Sequence, residues 1–198
     1  MGEYVDWQAE QDESTGLAVL LPGRNYPTTM PLLTFAGRAA AQHGWRVRAV
    51  SWQAPELDVD ATIDWVGSEL RDAVGDFSGR VLVVGKSLGT CAAKEAARRR
   101  CEAIWLTPLL TLPDVLRAMS DNPGRQLLVG GSEDPAWDPA AARTTGGEVV
   151  QVEGADHGLF NDDAVRTAEM HVEVTRAIER WLSRTAAGVE ARRGPAGV

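Results

Sequence analysis

Cysteine is scarce in this chain: Cys91 and Cys101 are the two among 198 residues. Two thiols cannot staple a disulfide scaffold, and their spacing fits no metal-ligand pattern. Both stand in apolar surroundings and are expected to be reduced core residues, as in a cytoplasmic protein. Long apolar runs are missing too. No stretch reaches the roughly 18 apolar residues of a membrane span. Residues 1–13 are acidic and lack the basic and apolar regions of a signal peptide. Basic residues are in deficit, with 20 Lys and Arg against 28 Asp and Glu for a net charge of −8. That balance argues against nucleic acid as a partner and mildly against strongly anionic substrates. The basic run Arg98-Arg99-Arg100 falls where a helix should end, and cations there complement the helix dipole.

What the chain does have is an alternation of short apolar runs and amphipathic segments. Strands are expected over 17–21, 45–52, 81–84, 103–106, 126–130 and 148–152, with a further edge strand over 5–9 and a turn over 11–16. The continuous run Leu17-Ala18-Val19-Leu20-Leu21 suits a strand buried on both faces. Helices are expected over 30–42, 58–74, 88–100, 113–120, 139–144 and 163–185. Regular alternation with short connections predicts an α/β fold: a doubly wound, mostly parallel sheet of seven or eight strands with helices on both faces. The length suits one domain, 1–185. The Gly, Ala and Arg-rich remainder, 186–198, is expected to be a disordered tail.

One stretch organises the rest. Val81-Leu82-Val83-Val84 runs into Gly85-Lys86-Ser87-Leu88-Gly89, and an alanine-rich segment follows. This reads as strand, tight turn and helix, with Ser87 at the tip and two glycines where side chains would collide across the turn. A serine before a helix also suits an N-cap, but capping does not call for both glycines. A serine hydroxyl is a weak nucleophile and needs a base within reach, which in turn needs an orienting carboxylate. Of three histidines, His43 and His171 fall on helices, whereas His157 falls in a loop just past the last strand. Asp134 follows an earlier strand in Gly130-Gly131-Ser132-Glu133-Asp134-Pro135. Asp138, before Pro139, is its rival as the acid, with Asp114 and Asp121 weaker candidates. Asp156 adjoins His157, and adjacent loop side chains seldom face each other.

Together, Gly85-Lys86-Ser87-Leu88-Gly89, the loop ending in Asp134-Pro135, and Gly154-Ala155-Asp156-His157-Gly158 resemble an α/β-hydrolase over nearly the whole chain. The pattern is most similar to small, capless bacterial serine hydrolases of the dienelactone hydrolase and esterase kind. The resemblance implies an ester, thioester or similar acyl bond as substrate, a Ser87-His157-Asp134 triad, an acyl-enzyme, a small-molecule acyl substrate, and no metal or cofactor. It also implies an oxyanion hole from two backbone amides: Leu88, and one from the Pro22-Gly23-Arg24-Asn25-Tyr26 loop, with Arg24 preferred and Asn25 the fallback. Tyr26, Trp52, Thr107 and Trp137 are the expected pocket residues. Lys86 is expected to be a spacer that packs its stem and keeps its amine in water. The connection from Thr107 to Pro113 leaves no room for a lid, so the site should be open. Two other readings share the fold: a catalytically idle binding or scaffold protein, and a flavodoxin-like mononucleotide binder. The latter wants a phosphate loop that 85–90 does not supply.

Overall fold

The computed structural model describes residues 2–7 and 16–193. Its seven-stranded sheet has strands β1 (Glu3–Asp6), β2 (Gly16–Leu21), β3 (Trp45–Ser51), β4 (Val81–Lys86), β5 (Glu102–Leu106), β6 (Gln126–Gly131) and β7 (Glu148–Val152). Their spatial order is β1-β3-β2-β4-β5-β6-β7. β1 is antiparallel to β3, and every other pairing is parallel. The edge strand expected over 5–9 is real but starts earlier, at Glu3. Residues 8–15, which hold the end of that expected strand and most of the expected turn, lie outside the described residues.

Alternation along the buried strands divides the core in two. Leu17, Val19, Leu21, Val83 and Trp105 point to one face, against helices α2 (Val59–Val74), α3 (Ala93–Arg99) and α4 (Pro113–Asp121) and Ala142 of α5 (Pro139–Thr144). Ala18, Leu20, Leu82, Val84, Ile104 and Leu106 point to the other, against α1 (Pro31–Gln42) and α6 (Ala164–Arg193). Helix starts follow local chemistry. Asp58 caps α2 by accepting from the Ala61 N–H at 2.8 Å, and Pro31, Pro113 and Pro139 open α1, α4 and α5.

Two helices differ from expectation. The one expected over 88–100 begins as a 3₁₀ turn, Ser87–Ala92, and becomes α-helical at Ala93. Ser87, the first residue of that turn, has a left-handed backbone with φ +50°. Helix α6 continues to Arg193, past the expected domain end at 185, because alanine, glutamate and arginine in that stretch are good helix formers. Residues 194–198 lie outside the described residues.

Candidate active site

β4 is the middle strand, and its carboxyl end carries the turn. Ser87 has φ +50°, a left-handed conformation that costs a non-glycine residue energy and lifts the side chain clear of the strand. The surroundings enforce it. A Cβ on Gly89 would lie 2.4 Å from the Leu21 carbonyl oxygen, and one on Gly85 would lie 2.8 Å from that of Gly89. The turn is therefore packed backbone to backbone against β2. Thr90 Oγ1 donates to the Ser87 carbonyl at 2.6 Å and closes it from the helix side.

β6 and β7 bring the other two groups. Asp134 sits in the β6 exit loop, His157 in the β7 exit loop. His157 Nε2 lies 2.8 Å from Ser87 Oγ, and its Nδ1 lies 2.8 Å from Asp134 Oδ2. The Asp134 carboxylate is fully buried, and its second oxygen accepts the Ala136 N–H at 2.8 Å. The two loops are tied at Gly131, where a Cβ would lie 2.1 Å from the Ala155 carbonyl oxygen, and by the Glu133 N–H bond to that same carbonyl. The three residues singled out in the sequence thus converge on one hydrogen-bonded line. Asp138 does not join them. It is exposed and caps α5, accepting from the Ala140 and Ala141 amides. Asp156 shapes the histidine loop by accepting from Gly158 and Phe160. Asp114 and Asp121 lie on α4 in a separate groove between helices. His43 pairs with Glu179 on α6, and His171 is buried against Phe160.

The Pro22-Gly23-Arg24-Asn25-Tyr26 loop leaves β2 beside the turn and is closed by the Gly23 N–H bond to the Tyr26 carbonyl at 3.0 Å. Arg24 shares a cleft with Ser87 and Leu88, and its guanidinium reaches the Pro55 carbonyl. That cleft has a volume of about 260 Å³ and is walled by Leu57, Val59, Leu109 and Leu112. None of the four expected pocket residues lines it. Trp137 stacks on Gly130 in the core and donates to Gln151. Thr107 is wholly buried, with φ +44° and its N–H bound to Val129. The Tyr26 hydroxyl accepts the Leu32 N–H beneath the site. Trp52 packs on Trp65 and lines a neighbouring cleft with Gly23 and Arg24. Each stands near a strand end, but none of them lines the cleft that holds Ser87. Leu57 and Val59 flank the α2 cap, and Leu109 and Leu112 lie in the short β5–α4 connection. Both segments carry leucine or valine beside a helix start, which a search for aromatics passes over.

Lys86 also departs from expectation. It is 4 % exposed, and its amine is inside the protein rather than in water. As the last residue of β4 it lies between two loops that cover it: Nζ donates to the His157 carbonyl at 3.2 Å and sits 4.9 Å from the Tyr26 ring centre. Burial pushes its pKa down to about 8, against the opposing pull of the Asp134 and Asp156 charges. Cys91, below the cleft, and Cys101 are free, buried thiols, both pushed up to about 11 by burial.

No protein-family model and no curated protein matches the sequence. Solved structures do match. Est1E from Butyrivibrio proteoclasticus, with ferulic acid bound, superposes with a TM-score of 0.70 at 15 % identity, covering 94 % of this chain and 96 % of that one. Dienelactone hydrolase from Anabaena variabilis gives 0.61 at 16 % identity, covering 88 % and 95 %. A serine hydrolase without a lid from Xanthomonas campestris gives 0.57 at 17 %, covering 90 % and 87 %. The fold is that of the α/β-hydrolases. In this α/β-hydrolase fold the β5–α4 connection is short, and among the described residues no lid domain stands over the end of β4. Among the described residues, no helix is long and apolar enough to cross a membrane.

Proposed function

We propose that the protein is a serine hydrolase that cleaves a carboxylic ester, thioester or similar acyl bond through an acyl-enzyme. The observation that carries this reading is the unbroken line from Ser87 Oγ through His157 to the buried Asp134 carboxylate, 2.8 Å at each step. In the tautomer that satisfies both contacts, Nδ1–H donates to Asp134 and Nε2 accepts the serine proton. Ser87 then attacks the acyl carbon, and the Leu88 and Arg24 amides receive the developing oxyanion. His157 returns its proton to the leaving group, and the alcohol or thiol departs. Water, activated by the same imidazole, releases the acid. The absence of a lid favours water over an alternative acyl acceptor.

The substrate is a small molecule whose acyl group enters the apolar cleft of Leu57, Val59, Leu109 and Leu112, with no nucleic acid or membrane partner. The free, buried thiols Cys91 and Cys101 support a reducing, cytoplasmic setting. A fluorophosphonate probe should label Ser87, and p-nitrophenyl esters from acetate to octanoate, with a feruloyl ester beside them, should define the acyl preference. Ser87→Ala should keep the fold and lose both labelling and turnover. A folded wild-type protein that neither labels nor hydrolyses any ester, yet binds one tightly, would overturn the reading in favour of an idle binding protein.

A further inference from the structure

A buried ammonium is costly to keep, yet Lys86 holds one next to the proposed nucleophile. Its partners come from two other loops. From the β7 exit, the His157 carbonyl accepts its hydrogen bond at 3.2 Å. From the β2 exit, Tyr26 offers its ring face at 4.9 Å. The stem is held as well, since a Cβ on Gly23 would lie 3.3 Å from Lys86 Cδ. Asp134 and Asp156 act on it through space rather than by contact. One side chain therefore bridges the serine turn, the proposed oxyanion loop and the histidine loop.

We propose that Lys86 is a positioning residue: its ammonium clamps the His157 carbonyl, and through it the imidazole, in line with Ser87. This rests on the serine hydrolase reading of the same site. The clamp works on the histidine backbone from its carbonyl side, while Asp156 Oδ1 accepts the N–H of the same peptide at 2.7 Å. Asp134 fixes the ring through Nδ1, but ring and backbone must both be placed for Nε2 to meet Oγ.

The clamp has a consequence in pH. A triad alone gains rate as its imidazole loses a proton and then stays level. Lys86 gives up its charge near pH 8, because burial lowers its pKa to about that value. A neutral amine is a weaker donor than an ammonium. The rate should therefore fall again as pH rises through about 8. Other titratable groups facing Lys86 do not produce that limb. Burial pushes the Tyr26 hydroxyl up. The Asp134 and Asp156 carboxylates act the other way and raise the Lys86 pKa.

The test is the pH profile of fluorophosphonate labelling at Ser87 in wild type, Lys86→Met and Lys86→Gln, with the Gly158 amide ¹⁵N shift followed over the same range. Gly158 N shares a peptide bond with the clamped carbonyl and reports on it without any catalysis. Expected are a several-fold fall in wild-type labelling above about pH 8 and a Gly158 titration with the same midpoint. Both variants should label more slowly at neutral pH, with a flat alkaline profile and without the Gly158 step near pH 8. Lys86→Gln retains a polar head and serves if Lys86→Met does not fold. An alkaline limb, or a Gly158 step near pH 8, that persists in a folded variant overturns the proposal, as does a wild-type Gly158 shift that is flat near pH 8. A wild type that never labels but whose Gly158 titrates, with the titration lost in the variants, overturns the hydrolase reading and leaves the clamp.

Discussion

At the scale of single residues, two aspartates four positions apart do unrelated work. Asp134 is buried and meets His157, whereas Asp138 is exposed and caps a helix. Asp134→Asn would present an amide to Nδ1 and favour the wrong imidazole tautomer. A loss of about 10⁴-fold in kcat is expected in ester hydrolysis, with little change in KM. Asp138→Ala should leave kcat unchanged and lower stability by about 1 kcal/mol, the usual cost of a lost cap, measured by urea unfolding. Sequence alone preferred Asp134, because the first acidic residue past a parallel strand stands at the sheet's carboxyl edge whatever else the loop does, and it is Asp134 that the fold sets against His157. The same reasoning pointed to Ser87 and His157. It could not place Lys86. Whether a side chain at the end of a strand meets water depends on which loops fold over it, and those, at Tyr26 and His157, are remote in the chain. The cleft walls were hidden for a related reason: Leu57 and Leu109 become neighbours only when α2 and the β5–α4 connection meet above Ser87.

At the scale of elements, the serine turn and α3 show how local rules yield to packing. The alanine-rich run after Gly89 reads as one helix, and its existence was legible. Its first turn is 3₁₀ and opens on the left-handed backbone of Ser87, which periodicity does not register. The glycines were legible as a requirement, and the structure supplies the partner: Leu21 of β2. Gly89→Ala would press a methyl into the Leu21 carbonyl at 2.4 Å. It should cost about 1–3 kcal/mol in unfolding experiments and disturb Ser87 labelling together with stability. Helix α3 is anchored differently. Glu95 is buried and accepts from Arg98 at 2.6 and 2.9 Å, Arg99 at 2.7 Å and Arg71 at 3.3 Å. Burial is the largest single influence on its carboxyl and pushes its pKa up. The guanidinium groups of Arg98, Arg99 and Arg71 together outweigh it and leave the pKa below the usual 4.5. A lowered folded-state pKa means stability that is present above the unfolded value and lost as pH falls through the folded one. Glu95→Gln should therefore melt lower than wild type at pH 7, and the gap should close as melts are repeated at progressively acidic pH.

At the scale of the whole molecule, the order β1-β3-β2-β4-β5-β6-β7 puts Ser87 at the end of the central strand and His157 beyond the edge strand β7. The alternation of strands and helices made the doubly wound sheet legible. The sheet order was not legible, because spacing does not say which strand lies beside which. With no lid to open, an ester whose concentration passes its solubility limit should meet no step in rate, a point that turnover against emulsified substrate would check. The separation of the triad across the sheet also bears on heat. Amides of β4 are flanked by strands on both sides and should exchange with deuterium only on global unfolding, while the loop around His157 opens at far lower cost. On warming, the base should stray from the serine while the sheet is still intact. Hydrolysis should accordingly fade several degrees below the melting of the far-ultraviolet signal and return in full on cooling, so that the upper working temperature of this protein is set by one loop at the sheet's rim and not by its core.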